Sequence, residues 1–170
     1  QAPAVAVPMD ASGRYDIGEL MERAGKTWDL DEIDAVILLD RESVVLRKDG
    51  TRTTRTHRIV WMATELGLNA YADLRVPWNS KTSELRVLAL RTWRDGTWWP
   101  DETEISETAV VPTLPGALRS AGDYTTMRET MLLHDGIELP CIVETVYEIE
   151  EHSRAQSDPD VSVIAETPSV

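Results

Sequence analysis

The first periodic stretch of the chain places Ile17, Leu20, Met21 and Ala24 at i, i+3, i+4 and i+7, one face of a helix. Asp16 stands where a cap would accept from the first turn, Glu19 follows three residues later as in a capping box, and Gly25 is a C-terminal stop. This predicts a short amphipathic helix over residues 15–25. From Ile33 the period changes to runs of β-branched and aliphatic residues broken by Asp49-Gly50, Asp95-Gly96 and Asp135-Gly136. Asp-Gly accepts the positive φ of tight hairpin turns, so the pattern predicts a meander of antiparallel strands. They are expected at 35–47, 51–63, 73–78, 84–94, 97–99, 126–134 and 141–150.

Charges discriminate between two registers of the first hairpin. A two-residue loop at Asp49-Gly50 sets Arg47 against Arg52 and Arg41 against Arg58, and like charges directly opposed are destabilising. A three-residue loop, Lys48-Asp49-Gly50 with Gly50 in the left-handed region, instead pairs Asp40 with Arg58, Leu39 with Ile59 and Ile37 with Trp61. The three-residue loop is the expected one. Residues 64–72, which contain Gly67 and Asn69, read as a bend or a turn of helix. Residues 100–123 hold Pro112, Pro115, Gly116 and Gly122 without a period and read as a long, mobile loop. Beyond His152 the polar, Pro-containing run reads as a linker, with Val161–Ala165 a weak strand at most.

The organisation expected is therefore an extended segment at 1–14, a short helix and connector at 15–32, an antiparallel β domain at 33–152 and a linker or tail at 153–170. The fold class is mainly β, a β-sandwich-like domain with a short N-terminal amphipathic helix.

Composition narrows what such a domain does. The chain has 170 residues, room for one ordinary domain, and its 17 basic and 30 acidic residues leave a net charge of -13. That charge repels polyphosphates and anionic lipid surfaces, so no nucleic-acid partner is expected. No run approaches the ~18 apolar residues that cross a bilayer, and the chain is not expected to span a membrane. There is no Phe, so large core positions fall to aliphatic side chains and the six Trp. Cys141 is the only cysteine, which excludes an internal disulfide and a cysteine-rich zinc cage. The opening run Gln1-Ala2-Pro3-Ala4-Val5-Ala6-Val7-Pro8 resembles the start of a mature exported protein, placing the chain in the periplasm or outside the cell.

The stretch from Asp34 to about Ser153 resembles the N-terminal domain that precedes bacterial transglutaminase-like domains, the domain-of-unknown-function 3857 family. The matching pieces are Asp34–Asp40, Lys48-Asp49-Gly50, Arg55–Val60, Thr64–Asp73, Val76-Pro77-Trp78-Asn79 and Leu88–Thr97, in this order and spacing. The resemblance implies an antiparallel sandwich-like fold, an exported setting and an accessory role beside a cysteine-dependent domain. It carries over no catalytic residue. This chain departs from the pattern at Leu139-Pro140-Cys141-Ile142-Val143-Glu144, where the family has Gly-Asp, and it ends where relatives continue into further strands.

Candidate chemistry is thin. Alternation puts Cys141 with Val143, Tyr147 and Ile149 on a core face, opposite Glu144, Glu148 and Glu150, and no helix-opening Cys-Trp pattern surrounds it. The three histidines lack zinc-ligand spacing, and His57 is expected among Arg and Thr side chains on a strand surface. Asp101, Glu102, Glu104 and Glu107 cluster without a calcium-loop pattern. No cofactor or metal is expected. Two groups remain as contacts for a ligand or partner. Trp93, Trp98 and Trp99 gather at one turn, and Trp98 and Trp99 must point to opposite faces. Arg52, Arg55 and Arg58 form a basic ribbon suited to an acidic segment, or to pairing with Asp40 and Glu42. The reading preferred is a non-catalytic interaction domain that binds a protein partner or the C-terminal domain of its own precursor. A glycan-binding module using an exposed Trp and a thiol enzyme using Cys141 are the alternatives.

Overall fold

The structure, a computed structural model, describes residues 14–100, 105–152 and 164–169. The first element is α1 (Ile17–Thr27), where Asp16 Oδ1 accepts from the Glu19 backbone N–H at 3.0 Å. Glu19 pairs forward with Arg23 at 2.8 Å. The helix runs past Gly25 and is closed by Trp28, whose N–H donates to Ala24 O. Gly25 is thus no stop, because Lys26 and Thr27 continue the last turn, Lys26 bonding Glu22 at 2.6 Å.

Among the described residues nine strands follow: β1 (Ala35–Leu46), β2 (Arg52–Met62), β3 (Leu74–Asn79), β4 (Ser83–Arg94), β5 (Thr97–Trp99), β6 (Val110–Thr113), β7 (Met127–Leu132), β8 (Cys141–Glu151) and β9 (Ile164–Ser169). A short helix, α2 (Glu65–Tyr71), joins β2 to β3. The strands make two antiparallel sheets, six strands in the order β5-β4-β8-β2-β1-β9 and three in the order β3-β7-β6. The fold is mainly β and sandwich-like.

The first hairpin has the three-residue loop that its charges select. Arg47 N–H donates to Thr51 O at 2.8 Å, Gly50 has φ 83°, and Asp40 lies opposite Arg58 and Leu39 opposite Ile59. A bulge between Ile37 and Leu39 then shifts the register, so Ile37 faces Val60 and Val36 faces Trp61, in place of the expected Ile37 with Trp61. Asp95-Gly96, at φ 50° and 78°, is a two-residue turn between β4 and β5. Asp135-Gly136 is not a hairpin turn: β7 and β8 lie in different sheets, and this segment carries the chain between them. The meander expectation is corrected there, because Asp-Gly specifies a tight bend and not which strands it joins.

Two further expectations are corrected. Much of the segment read as a mobile loop is ordered: a 3-10 turn (Glu107–Ala109), β6 and a 3-10 helix (Gly116–Tyr124) occupy it, while 101–104 lie outside the described residues. Pro112 misled, since it sits on an edge strand of the small sheet, where a missing N–H is tolerated, as Pro77 does on the opposite edge. In the expected tail, residues 164–169 form β9 along β1, from Asp40 with Ser169 to Val45 with Ile164.

One face of the large sheet, the helix face, receives α1: Tyr15, Ile17 and Leu20 pack with Leu39, Ile59, Trp98 and Ile142. The other, the sandwich face, carries Val60, Met62, Cys141 and Val143 with Ala72 and Leu68 from α2 and its end. Beside them Val76 and Leu132 of the small sheet meet Leu90, Leu85, Val87, Tyr147 and Ile149. The strand β8 is therefore enclosed on both sides, and Cys141 through Val146 are all buried.

Candidate functional site

Beside the residues that lead into α1 the helix face opens into a groove of about 420 Å³. It is lined by Arg14 and Tyr15, Arg41 and Ser43 of β1, Arg55 and His57 of β2, Leu88, Ala89 and Arg91 of β4, and Glu144 and Val146 of β8. Sheet register explains the assembly. Glu144 sits between Ile59 on one side and Arg91 on the other, and His57 lies two residues from Ile59 on the same face. A bulge between Val87 and Ala89 lets the consecutive residues Leu88 and Ala89 both line the groove.

Glu144 is the centre, its side chain only 7% exposed. His57 Nε2 lies 2.8 Å from Oε1, and because an ionised carboxylate only accepts, this nitrogen carries the proton. Arg91 Nη2 stands 2.5 Å from Oε2 as an ion pair without an aligned hydrogen bond, and Arg91 Nε is likewise buried without an acceptor. Burial pushes the Glu144 carboxyl up more than any other single influence. The His57 hydrogen bond, the Arg91 charge and the lesser influences of the same two residues together outweigh it and hold the group below the ordinary glutamate value. Removing one member of so buried a pair typically costs about 3–5 kcal/mol, because the other charge is left uncompensated.

The surrounding contacts form a continuous relay. The Arg91 guanidinium lies 5.3 Å from the Trp98 ring centroid, and Tyr15 meets His57 edge-on at 5.0 Å and 64°. Arg41 Nη1 donates to Tyr15 Oη at 3.2 Å. Arg55, at the rim, meets Glu148 at 3.8 Å. Among the described residues, four arginines and one carboxylate line the groove of a chain whose net charge is -13. A second opening of about 420 Å³, between the sheets, has Arg86 as the one charged group lining it among the described residues.

The residues singled out from sequence are dispersed. Arg55 alone of the basic ribbon lines the groove; Arg52 is exposed with Glu151 at 3.4 Å, and Arg58 lies on the sandwich face, paired with Asp40 at 2.6 Å. The ribbon is split because alternate residues of β2 face opposite ways. Trp98 is buried at 9% exposure and packs T-shaped on Trp93 at 5.2 Å, while Trp99 is 47% exposed, with Arg94 5.1 Å from its ring centroid. Cys141 is 2% exposed, and burial pushes its thiol up, away from thiolate. No group of three or more His, Cys, Asp or Glu placed to hold a metal occurs among the described residues. The expected acidic cluster falls largely on 101–104, outside them, as does the opening run.

Sequence reading missed Glu144, His57, Arg91, Tyr15 and Arg41. His57, beside Arg41 and Arg55 in the groove, meets Tyr15 edge-on and lies against a carboxylate, and Glu144, on the face opposite Cys141 as alternation places it, is buried. One signal was present: Glu144 interrupts the run Cys141-Ile142-Val143-Glu144-Thr145-Val146, whose density of apolar residues marks a strand enclosed on both sides.

Comparison with known proteins gives one family and one fold. The model of the family described as Domain of Unknown Function with solved-structure structure (DUF3857) matches residues 48–164. A crystal structure of a protein named "putative protease", from Parabacteroides distasonis ATCC 8503, is similar with a TM-score of 0.55 at 24% identity. The likeness covers 64% of this chain and 21% of that one, and at such identity it concerns the fold alone. No curated protein matches the chain. Among the described residues no helix is long and apolar enough to cross a membrane.

Proposed function

We propose, from the premise that this chain belongs to the DUF3857 family of domains of unknown function, that it is an accessory binding domain of an exported bacterial protein. It docks a protein partner, or a transglutaminase-like C-terminal domain of its own precursor, on the open part of the helix face. The observation that carries this reading is the guanidinium-lined groove on an otherwise acidic chain. Binding rather than covalent chemistry is supported by the burial of the one thiol and by the commitment of His57 to Glu144.

The test is a photo-cross-linker placed at Ser43, which lines the groove, and at Arg52, which does not, in the protein expressed in its native host. The expected result is a stoichiometric adduct, to a companion or to a further domain of a longer polypeptide, from position 43 and not from 52. A free chain of 19.1 kDa with no adduct at position 43 overturns the reading. A glycan-binding alternative rests on the exposure of Trp99. The Arg94 guanidinium already lies over that ring, which makes it the weaker platform.

A further inference from the structure

We propose that the seat of α1 on the helix face is a docking site for an amphipathic helix of the partner, which α1 fills until the partner displaces it. The inference rests on the accessory reading and adds what is recognised and what moves. The seat is the first argument. Leu39 of β1, Ile59 of β2, Ile142 of β8 and Trp98 of β5 make one apolar surface, with Leu38, Trp61 and Trp93 packed beside it. Helices dock in such surfaces through anchors at i, i+3 and i+7, the spacing at which α1 buries Ile17, Leu20 and Ala24. The seat is also continuous with the groove, because Tyr15 packs in the one and lines the other. Lifting α1 takes Tyr15 off His57 and joins the two into a single surface.

Separability is the second argument. The Asp16 cap, the Glu19–Arg23 and Glu22–Lys26 pairs and the closing bond from Trp28 N–H to Ala24 O all lie within α1 and its caps, so they persist when the helix leaves. The pairings of β1 with β2, β2 with β8 and β8 with β4 run without it. At its entry undocking breaks a single-residue strand bridge at Tyr15 and the bond from Arg41 to the Tyr15 hydroxyl. At its exit the connector turns on local bonds, Asp29 accepting from Asp31 and Glu32, and the next anchor is Asp34, which accepts from Ala63 and Thr64. The six residues 28–33 between can reach about 20 Å, enough for α1 to swing clear. A bare apolar seat is unfavourable in water, so α1 stays docked until another apolar stripe replaces its own.

Two measurements on the full chain test this. In native-state hydrogen exchange the amides of residues 21–24 exchange roughly tenfold or more faster than those of β8, through an opening that leaves the sheet intact. Exchange of both sets in one common opening overturns the proposal. In the second measurement Leu20→Asp frees the seat, and a labelled synthetic peptide of residues 14–28 is titrated by fluorescence anisotropy. The peptide binds the variant, binds the wild-type chain roughly tenfold or more weakly because its seat is filled, and fails to bind either when it carries the same Leu20→Asp change. A folded variant that ignores the peptide, equal binding to both chains, or loss of the whole fold in Leu20→Asp overturns the proposal. Such a failure beside an intact adduct at position 43 removes the helix exchange and leaves the accessory role standing.

Discussion

Glu144 is held at two points by two histidines, through its side chain by His57 and through its backbone carbonyl by His134, whose Nε2 lies 3.2 Å from that oxygen and 3.0 Å from Thr145 Oγ1. The residue His134 keeps some exposure, but both ring nitrogens point inward, Nδ1 standing 3.5 Å from Ala72 O. Burial lowers the His134 pKa below its ordinary 6.5, against the opposing pull of the Glu144 and Ala72 carbonyls and of Asp135 and Asp73. The sign of the linkage follows. Below pH 6.5 the unfolded chain takes up a proton that folded His134 refuses, so stability falls as pH drops from there. Glu144 contributes in the ordinary carboxylate sense: its stabilisation is complete above 4.5 and is lost as pH falls through its lower folded value. Denaturant unfolding between about pH 8 and about pH 3 is therefore expected to show a two-stage decline. His134→Gln should flatten the stage that begins near 6.5 and preserve the one below 4.5. An unaltered slope across the first stage would show that another group drives it.

Elements meet at places where one atom decides. Gly67, in the first turn of α2, lies so close to the start of β1 that a Cβ would come within 3 Å of the Asp34 carbonyl oxygen and carbon, both backbone atoms unable to rotate away. Gly67→Ala should cost about 1–3 kcal/mol in urea unfolding, as overpacking does. Gly116→Ala, where a Cβ meets nothing within 4 Å, should move the midpoint little; equal effects would refute the steric account. These contacts also show why elements were legible and their junctions were not. The strands stood out because alternation and Asp-Gly are local, and charge opposition even selected the loop at Lys48-Asp49-Gly50. The bulge at Leu38 has no local signal, since Ile37, Leu38 and Leu39 are interchangeable in pattern and only packing against α1 distinguishes them. Pro112 was read as a loop residue because sequence does not say which strand lies at an edge.

The groove exists only at the scale of the whole molecule. His57 and Glu144 are 87 positions apart, joined because β8 inserts between β2 and β4, a neighbour relation that periodicity does not carry. The same scale sets the electrostatic field of the protein. Its net charge of -13 opposes compaction everywhere. Salt screens this repulsion. The screening length shrinks from roughly 20 Å to about 7 Å between about 20 and about 200 mM NaCl, removing more of the distant repulsion than of contacts such as Arg91 with Glu144. The folded state should therefore gain stability with salt, of order ~1 kcal/mol or about 2–4 °C in Tm for a chain of this size. Thermal unfolding over a series of salt concentrations checks this, and a midpoint that falls as salt is added would mean that local ion pairs outweigh the general repulsion.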